Sequence, residues 1–478
     1  MNNKTNPASG RPAVSISRRT FIQVTALLAA LLLISIGLTF IVPRGDFGIL
    51  PDGSPDYAQY IPRPDKQGIP LWKGLLAPVL VFFSGDGLRL IMLSLFLFII
   101  SAAFQVMSDV GGVDSVVGAV SNRFRNQKKM LLVLISFLFY CFGSFLGLFE
   151  EMLTMLPIVA ALCVLLGYDS FTGFLCSIIA CGFGFAGAIT NPFTVLLASQ
   201  IIGVNPMEHI WMRFLVFFVM FALFSGFLFR YVRRLERRPD SSLTKTHDAL
   251  LRAGMQAETR KSAGKGHVGK VYAVFLLTAL ALIIVSSLLE PLRDYSVVIL
   301  IAYFLIFGIF TGIVACGSAG RVLRSFGRGI LGALPTMVFI ALAASIKYVF
   351  DEGGIMPTIV SRMNLLAEGG SRFGIAVAVY LIVLLLEFFI SSSTAKAILV
   401  MGLLSVVNLG LSKPLLVLLY TFGDGYTNVL FPTSPVLLIS LSMIQVDYFT
   451  WIKKSFPLFL LNFLLVIGFI WLAVTVGY

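Results

Sequence analysis

Asp424-Gly-Tyr-Thr-Asn-Val-Leu-Phe-Pro-Thr-Ser-Pro435 lies between two apolar runs, Leu415 to Leu419 and Val436 to Ile439. A plain membrane helix has no use for an Asp, an Asn, two prolines and hydroxyls at that depth. A transporter does, because an unwound helix offers backbone groups and helix ends to a solute at mid-membrane. Thr427, Asn428, Thr433 and Ser434 are therefore candidate ligands, with Asp424 beside them. A weaker counterpart, Gly187-Ala-Ile-Thr-Asn-Pro-Phe-Thr194, contributes Thr190 and Asn191. In both breaks the proline removes a helix hydrogen bond and the Asn supplies an amide; the plainer reading is a simple kink.

Composition sets the context. Of 478 residues, 58% are hydrophobic and only 12% charged, against about 25% charged in a soluble chain. Mean hydropathy is +0.94, and many runs are long enough to cross a bilayer. The fold expected is an all-α polytopic membrane protein. The net charge of +13 resides in short basic stretches between spans, as the positive-inside rule predicts, so nucleic acid is not an expected partner. Cys141, Cys163, Cys176, Cys181 and Cys316 sit in apolar segments and read as small core residues. His209, His247 and His267 form no ligand cluster, so no metal site is expected. Ser17-Arg-Arg-Thr-Phe-Ile22 resembles a twin-arginine signal. The span after it is long and no small-residue cleavage site follows, so it reads as a cytoplasmic anchor.

Residues 1–19 form a cytoplasmic N-terminus and 20–231 a first transmembrane half. A basic cytoplasmic linker, 232–270, leads to a second half, 271–478. The first half holds spans near Thr20–Val42 and Leu88–Met107, an interrupted stretch at about 130–166, a broken helix at about 171–202, and a span near Trp211–Tyr231. The second holds spans near Val271–Leu288, Ser296–Cys316 and Ile330–Phe350, an interrupted stretch at about 373–411, a broken helix at about 415–443, and a last span near Phe456–Val476. The segment up to Asp86 reads as an extracytoplasmic loop, and Arg321–Arg328 as a cytoplasmic one. Each interrupted stretch is either a re-entrant hairpin or two full spans, and charge alone does not separate these.

The halves repeat. Asp109-Val-Gly-Gly112 and Asp351-Glu-Gly-Gly354 each lead to a short Asn/Arg segment (Ser121-Asn-Arg123; Ser361-Arg-Met-Asn364). An interrupted stretch and a Thr-Asn break follow each, at an offset of about 240 residues. Loop charges put the two motifs on opposite sides, so the repeats are inverted, with a substrate expected between them.

The interrupted stretches supply further candidates. Glu150 and Glu151 stand at the first tip; a carboxylate there could hold sodium, a proton or a cationic group, or simply pair or cap a helix. The second tip, Ser391-Ser-Ser-Thr394, offers Ser392, Ser393 and Thr394 to a hard cation or a carboxylate oxygen, unless its small residues only permit close packing. Lys396 needs an anion: a substrate carboxylate, or Glu150, Glu151, Glu387 or Asp424. Gly182, Gly184 and Gly187 would let the first hairpin approach closely.

These motifs carry a resemblance. Phe149-Glu-Glu-Met-Leu153, Gly182-Phe-Gly-Phe-Ala-Gly187 leading to Asn191-Pro-Phe-Thr194, and Phe422-Gly-Asp-Gly-Tyr-Thr-Asn428 leading to Phe431-Pro-Thr-Ser434 look like the YfcC family. That family belongs with the anaerobic C4-dicarboxylate carriers of the ion transporter superfamily. Leu38-Thr-Phe-Ile-Val-Pro43 and Gly45-Asp-Phe47 resemble its first span and exit. The resemblance implies a homodimer with a scaffold part and a transport part in each subunit. The transport part would hold two opposed hairpins and two broken helices, and move in an elevator-like manner. It places Glu151, Asn191, Ser393, Thr394 and Asn428 near substrate or coupling ion. The second tip departs from the family's Ser/Gly-rich run with Gln-Ala by reading Ser-Ser-Thr-Ala-Lys396.

The function expected is secondary transport, in a cell inner membrane, of a small carboxylate-bearing metabolite, a C4-dicarboxylate or an amino acid. Transport would be coupled to sodium or protons, or run by exchange. Basic amino-acid antiport is the alternative. A channel and a membrane-embedded enzyme are the rivals from other classes. The enzyme lacks a catalytic His, Cys–His or acidic metal cluster. No phosphate-binding GxxxxGK[ST] motif is present, and no cofactor is expected beyond the coupling ion. The partners expected are the small-molecule substrate and membrane lipid.

Overall fold

An apolar segment in lipid can satisfy its backbone only within itself, which selects helices. The computed structural model describes residues 18–51, 55–63, 68–124, 126–262, 266–293, 295–361 and 370–478. Among these, nine helices are long and apolar enough to cross a membrane. Residues 1–17, Arg125 and the part of the second Asn/Arg segment after Ser361 lie outside the described residues, as do the side chains of Arg260, Lys261 and Lys265.

The first half comprises α1 (Arg18–Ile41), a two-stranded antiparallel hairpin β1 (Gly45–Ile49) and β2 (Pro55–Pro62), α2 (Gly87–Asp109) and α3 (Gly112–Arg123). Then come α4 (Lys128–Leu146), α5 (Leu156–Leu165), α6 (Ser170–Ala186), α7 (Pro192–Ile202) and α8 (Ile210–Arg237). The linker folds as α9 (Lys245–Ser262). The second half comprises α10 (Gly266–Leu288), α11 (Ser296–Cys316), α12 (Ala319–Gly353), α13 (Met356–Ser361), α14 (Arg372–Phe389), α15 (Ser393–Val406), α16 (Lys413–Asp424), α17 (Pro435–Met443) and α18 (Tyr448–Thr475). From α2 to α8 and from α12 to α18 the order is the same: span, short helix, helical hairpin, broken helix, span.

The helices fall into two packed groups. Helices α1, α2, α10, α11 and α12 pack on one another, with α2 at the centre. Gly329 of α12 lies so close to α2 that a Cβ would stand 2.4 Å from the Ala102 Cα, and Ser101 donates to the Gly329 carbonyl at 2.9 Å. The hairpins α4–α5 and α14–α15, the broken helices and the spans α8 and α18 form the second group. An apolar crevice lined by Leu97, Phe104, Leu153, Ala333 and Ile439 separates the groups along part of their contact.

The two faces of the molecule sort as the inversion requires. Helices α2 and α12 run antiparallel: Asp109 at the end of α2 pairs with Arg328 at 2.8 Å, and Lys347 near the end of α12 pairs with Asp86 before α2. The first Asp-x-Gly-Gly motif therefore shares a face with the linker, whose Asp248 accepts from Ser170. The second shares the opposite face with the β-hairpin, where Gly45 donates to the Gly354 carbonyl at 3.0 Å. In both motifs a left-handed glycine ends the helix, Gly111 at φ 80° and Gly354 at φ 63°, a conformation that costs glycine little.

Two expectations need correcting. The stretch Arg321–Arg328 is not a loop but the first turns of α12, whose 35 residues make a rod of about 50 Å that outruns a hydrocarbon core of about 30 Å. The last span likewise begins before Phe456: α18 starts at Tyr448 and takes in Lys453 and Lys454. The loop before Asp86 carries the β-hairpin and short helical turns at Leu71–Leu75 and Ala77–Leu80, a small addition to an otherwise all-α membrane fold.

Candidate functional site

Each hairpin returns to the face it came from, and its tip stops beside the broken helix of its own half. At the first tip, α4 ends in a wide turn, Phe142–Leu146, and Gly147 reverses the chain at φ 67°. A Cβ on Gly147 would stand 2.7 Å from the Asn191 Oδ1. The tip then tightens into a single turn, Glu151–Thr154, in which residues three apart eclipse. Glu151 and Thr154 therefore share one side, both buried; the Thr154 hydroxyl has no hydrogen-bond partner among the described residues.

Asn191 uses both ends of its amide on the protein. Its Oδ1 accepts from Phe193 N (2.9 Å) and Thr194 N (3.2 Å), capping α7, and its Nδ2 donates to the Gly143 carbonyl at 3.0 Å. Thr190 donates to the Phe145 carbonyl at 3.2 Å, and Ser144 donates to the Gly187 carbonyl at 2.7 Å. The Thr-Asn-Pro break is clasped to the hairpin tip, which satisfies the groups the proline frees. Gly184 and Gly187 make room for Tyr140 of α4; Gly182 instead faces Val429 of the second break.

At the second tip, α14 ends at Phe389, and Ser392 caps α15 by accepting from Ala395 N at 3.3 Å. Ser393 donates to Asp424 Oδ2 at 2.9 Å, and Tyr420 donates to the Ser393 carbonyl at 2.5 Å. Thr394 is half-buried on the first turn of α15. Lys396 is fully buried and forms ion pairs with Asp424 Oδ1 at 2.8 Å and with Glu387. Of the anions open to Lys396 in the sequence, the structure brings up these two. Asp424 is the last residue of α16, at the edge of the break.

Beyond Asp424 the chain turns through Tyr426–Val429. Thr427 donates to the Gly423 carbonyl at 2.8 Å, and Asn428 Nδ2 to the Asp424 carbonyl at 2.7 Å. Ser434 stands at the N-cap position of α17, without a side-chain hydrogen bond to the helix, and is buried. Thr194 and Thr433, one in each break, are buried with hydroxyls that have no partner among the described residues.

The two breaks touch. A Cβ on Gly425 would lie 2.4 Å from the Ala186 Cα, and one on Gly182 would lie 2.3 Å from the Val429 Cγ1. One further residue joins the tips. Arg89, on the first turn of α2, donates to the Ser392 hydroxyl and stands 3.6 Å from Glu150 Oε1, with the guanidinium half-exposed.

The C4-dicarboxylate anaerobic carrier family matches residues 21–475. The chain belongs to that family. It is a multi-pass membrane protein and a secondary transporter, not an enzyme. A relative in Escherichia coli, YfcC, provisionally assigned as a basic amino acid antiporter, is 26% identical over 391 residues, 78% of this chain and 76% of its own length. An uncharacterised protein of Haemophilus influenzae is 24% identical over 393 residues, covering 80% and 75%. The crystal structure of the Alcanivorax borkumensis YdaH transporter, described as having an unusual topology, aligns over 95% of this chain and 99% of its own at TM-score 0.44 and 16% identity.

In this carrier, Arg89 is the residue that sequence reading misses. The signal is present: it is the sole charged residue between Asp86 and Asp109. At the start of a span it counts as an interfacial anchor, and only the fold brings both tips to it.

Proposed function

We propose that the carrier moves a small carboxylate-bearing metabolite, a C4-dicarboxylate or an amino acid, in exchange or coupled to sodium or protons, across a cell inner membrane. The observation that carries this reading is Arg89, held at the meeting point of the two hairpin tips with its guanidinium half-exposed. A planar guanidinium suits a carboxylate, whereas Lys396 is already engaged by two protein carboxylates. The orphan hydroxyls of Thr194 and Thr433 and the turn at Glu151–Thr154 supply further polar contacts. Alternating access would carry the hairpins and broken helices together against the α2–α12 scaffold, with the apolar crevice between the groups as the sliding surface. The functional unit would be a homodimer with its N-terminus in the cytoplasm.

Basic amino-acid antiport is the second reading. Glu150 at the first tip and the assignment of the Escherichia coli relative favour it. Uptake by purified protein in liposomes separates the two. Labelled succinate, aspartate, arginine and lysine are presented under sodium, proton and counter-substrate gradients. Saturable uptake and counterflow of succinate or aspartate are expected. Uptake of arginine or lysine alone would reject the carboxylate reading.

A further inference from the structure

Glu387, Lys396 and Asp424 come from three helices and are 2%, 0% and 0% exposed. Lys396 lies near the N-terminal end of α15, where the helix dipole repels a cation. Glu387 and Asp424 lie at the C-terminal ends of α14 and α16, where the dipole repels an anion. None of the three sits where its own helix favours it; they are held by one another. Two carboxylates against one ammonium leave an excess negative charge, and an uncompensated charge at such depth is strongly disfavoured.

Other ionisable groups nearby do not cancel it. On the elements packed against the cluster these are Tyr420, whose hydroxyl donates to the Ser393 carbonyl, and Tyr380 and Tyr426, whose hydroxyls bond each other at 2.9 Å. Tyr57 of β2 lies against Gly402 of α15. Arg372 and Lys413 stand at the far ends of α14 and α16. Beyond Ser392, Arg89 is shared with Glu150. On α12, Lys347 pairs with Asp86 and Asp351, and Glu352 with Lys73. A metal ion is a poor fit, because the Lys396 ammonium occupies the point where the two carboxylates converge, and a second cation there meets direct repulsion.

We infer that the Glu387–Lys396–Asp424 cluster holds one exchangeable proton and is the carrier's proton-coupling site. Binding forms one O–H bond on a carboxylate oxygen, and the cluster passes from a charge of −1 to neutral; release reverses this and breaks no other bond. The proton belongs to the carboxylate pair rather than to either member alone. Ser393 connects the cluster to the second tip, since its hydroxyl donates to Asp424 Oδ2 and its neighbour Ser392 accepts from Arg89. A change in the charge of the carboxylate pair therefore reaches the residue that would meet substrate.

The binding inference stands without the transport reading; its role in coupling rests on that reading, and two measurements keep them apart. The first needs no substrate. Infrared difference spectra of the purified protein carrying Asp248→Asn, which removes the raised carboxyl of the linker, recorded between mildly acidic and mildly alkaline pH, should show a protonated-carboxyl C=O band. That band should be lost in Glu387→Gln and in Asp424→Asn and retained in Glu151→Gln. Each of the two cluster variants keeps one Lys–carboxylate pair and is neutral, so both are expected to fold, and either one alone assigns the band if the other does not. No such band in the Asp248→Asn parent, a band lost only when Glu151→Gln is added, or one that survives both cluster variants overturns the inference. The second measurement is labelled succinate flux in liposomes. Glu387→Gln should retain counterflow but lose proton-driven accumulation, and accumulation at the wild-type level overturns the coupling role. Absence of succinate flux in the wild type counts against the substrate reading and leaves the infrared result to decide the proton site.

Discussion

Lys396→Met separates two views of the second tip. Methionine nearly fills the lysine's volume, so the main loss is the ammonium, not packing. Lys396 is wholly buried and is the shared partner of Glu387 and Asp424. Removing one partner of a buried pair typically costs about 3–5 kcal/mol, because the remaining charge is left uncompensated. That should lower the melting temperature by several degrees. A thiol-reactive fluorophore can follow it, since Cys163, Cys176 and Cys181 are buried in the native state. The double variant Lys396→Met/Asp424→Asn should recover most of the loss, because the single remaining carboxylate can take up a proton and become neutral. If Lys396 is instead a substrate ligand, the single variant melts at the wild-type temperature and only KM rises. That result would refute the assignment of Lys396 as a buried counter-ion.

Arg89→Gln should weaken carboxylate-substrate uptake at least tenfold with little change in melting, because its guanidinium is half-exposed and such surface pairs stabilise by about 1 kcal/mol or less; unchanged KM would remove it from the site. Asn191→Ala loses a helix cap and the bond to the Gly143 carbonyl, a destabilisation of about 1–3 kcal/mol by the sum of such terms, measurable as a lower melting temperature. Gly425→Val places its side chain on the Ala186 backbone and should abolish flux by parting the breaks; wild-type flux would contradict the crossing. In the linker, burial raises the Asp248 carboxyl above its usual range, against the opposing effect of hydrogen bonds from Ser170 and Thr244. A raised carboxylate favours the protonated form in the fold, so its contribution is full in acid and lost as pH rises through the folded value. Protection of α9 against hydrogen exchange, taken relative to the intrinsic base-catalysed rate, should therefore fall from acid towards neutral pH, and Asp248→Asn should flatten that response.

The breaks were legible because polar residues and prolines inside apolar runs seldom serve a plain membrane span. The inversion was legible because basic clusters mark one face, which puts the two Asp-x-Gly-Gly motifs on opposite sides. Helix ends were less so. A basic stretch such as Arg321–Arg328 has the same composition whether it forms a loop or a helix projecting past the bilayer, and only packing of α12 along α2 decides between them. The partner of Lys396 was similarly open in the sequence. Glu387 is nine residues away, and the reversal at 390–392 brings it opposite. Asn191 and Asn428 show the same limit from the other side: the sequence marks them as special, while the hydrogen bonds show them bracing the backbone around the site.

The crossing at Gly425 and Gly182 also constrains how the carrier can work. Gly425 meets the Ala186 backbone with only the Ala186 methyl beside it, so the two halves of the duplicated core cannot slip past one another without colliding. The part of the site built by the tips and breaks is then the same whichever side of the membrane a solute arrives from, while Arg89 on α2 stays with the scaffold. Selectivity becomes a property of one rigid cradle, and directionality a property of where that cradle stands.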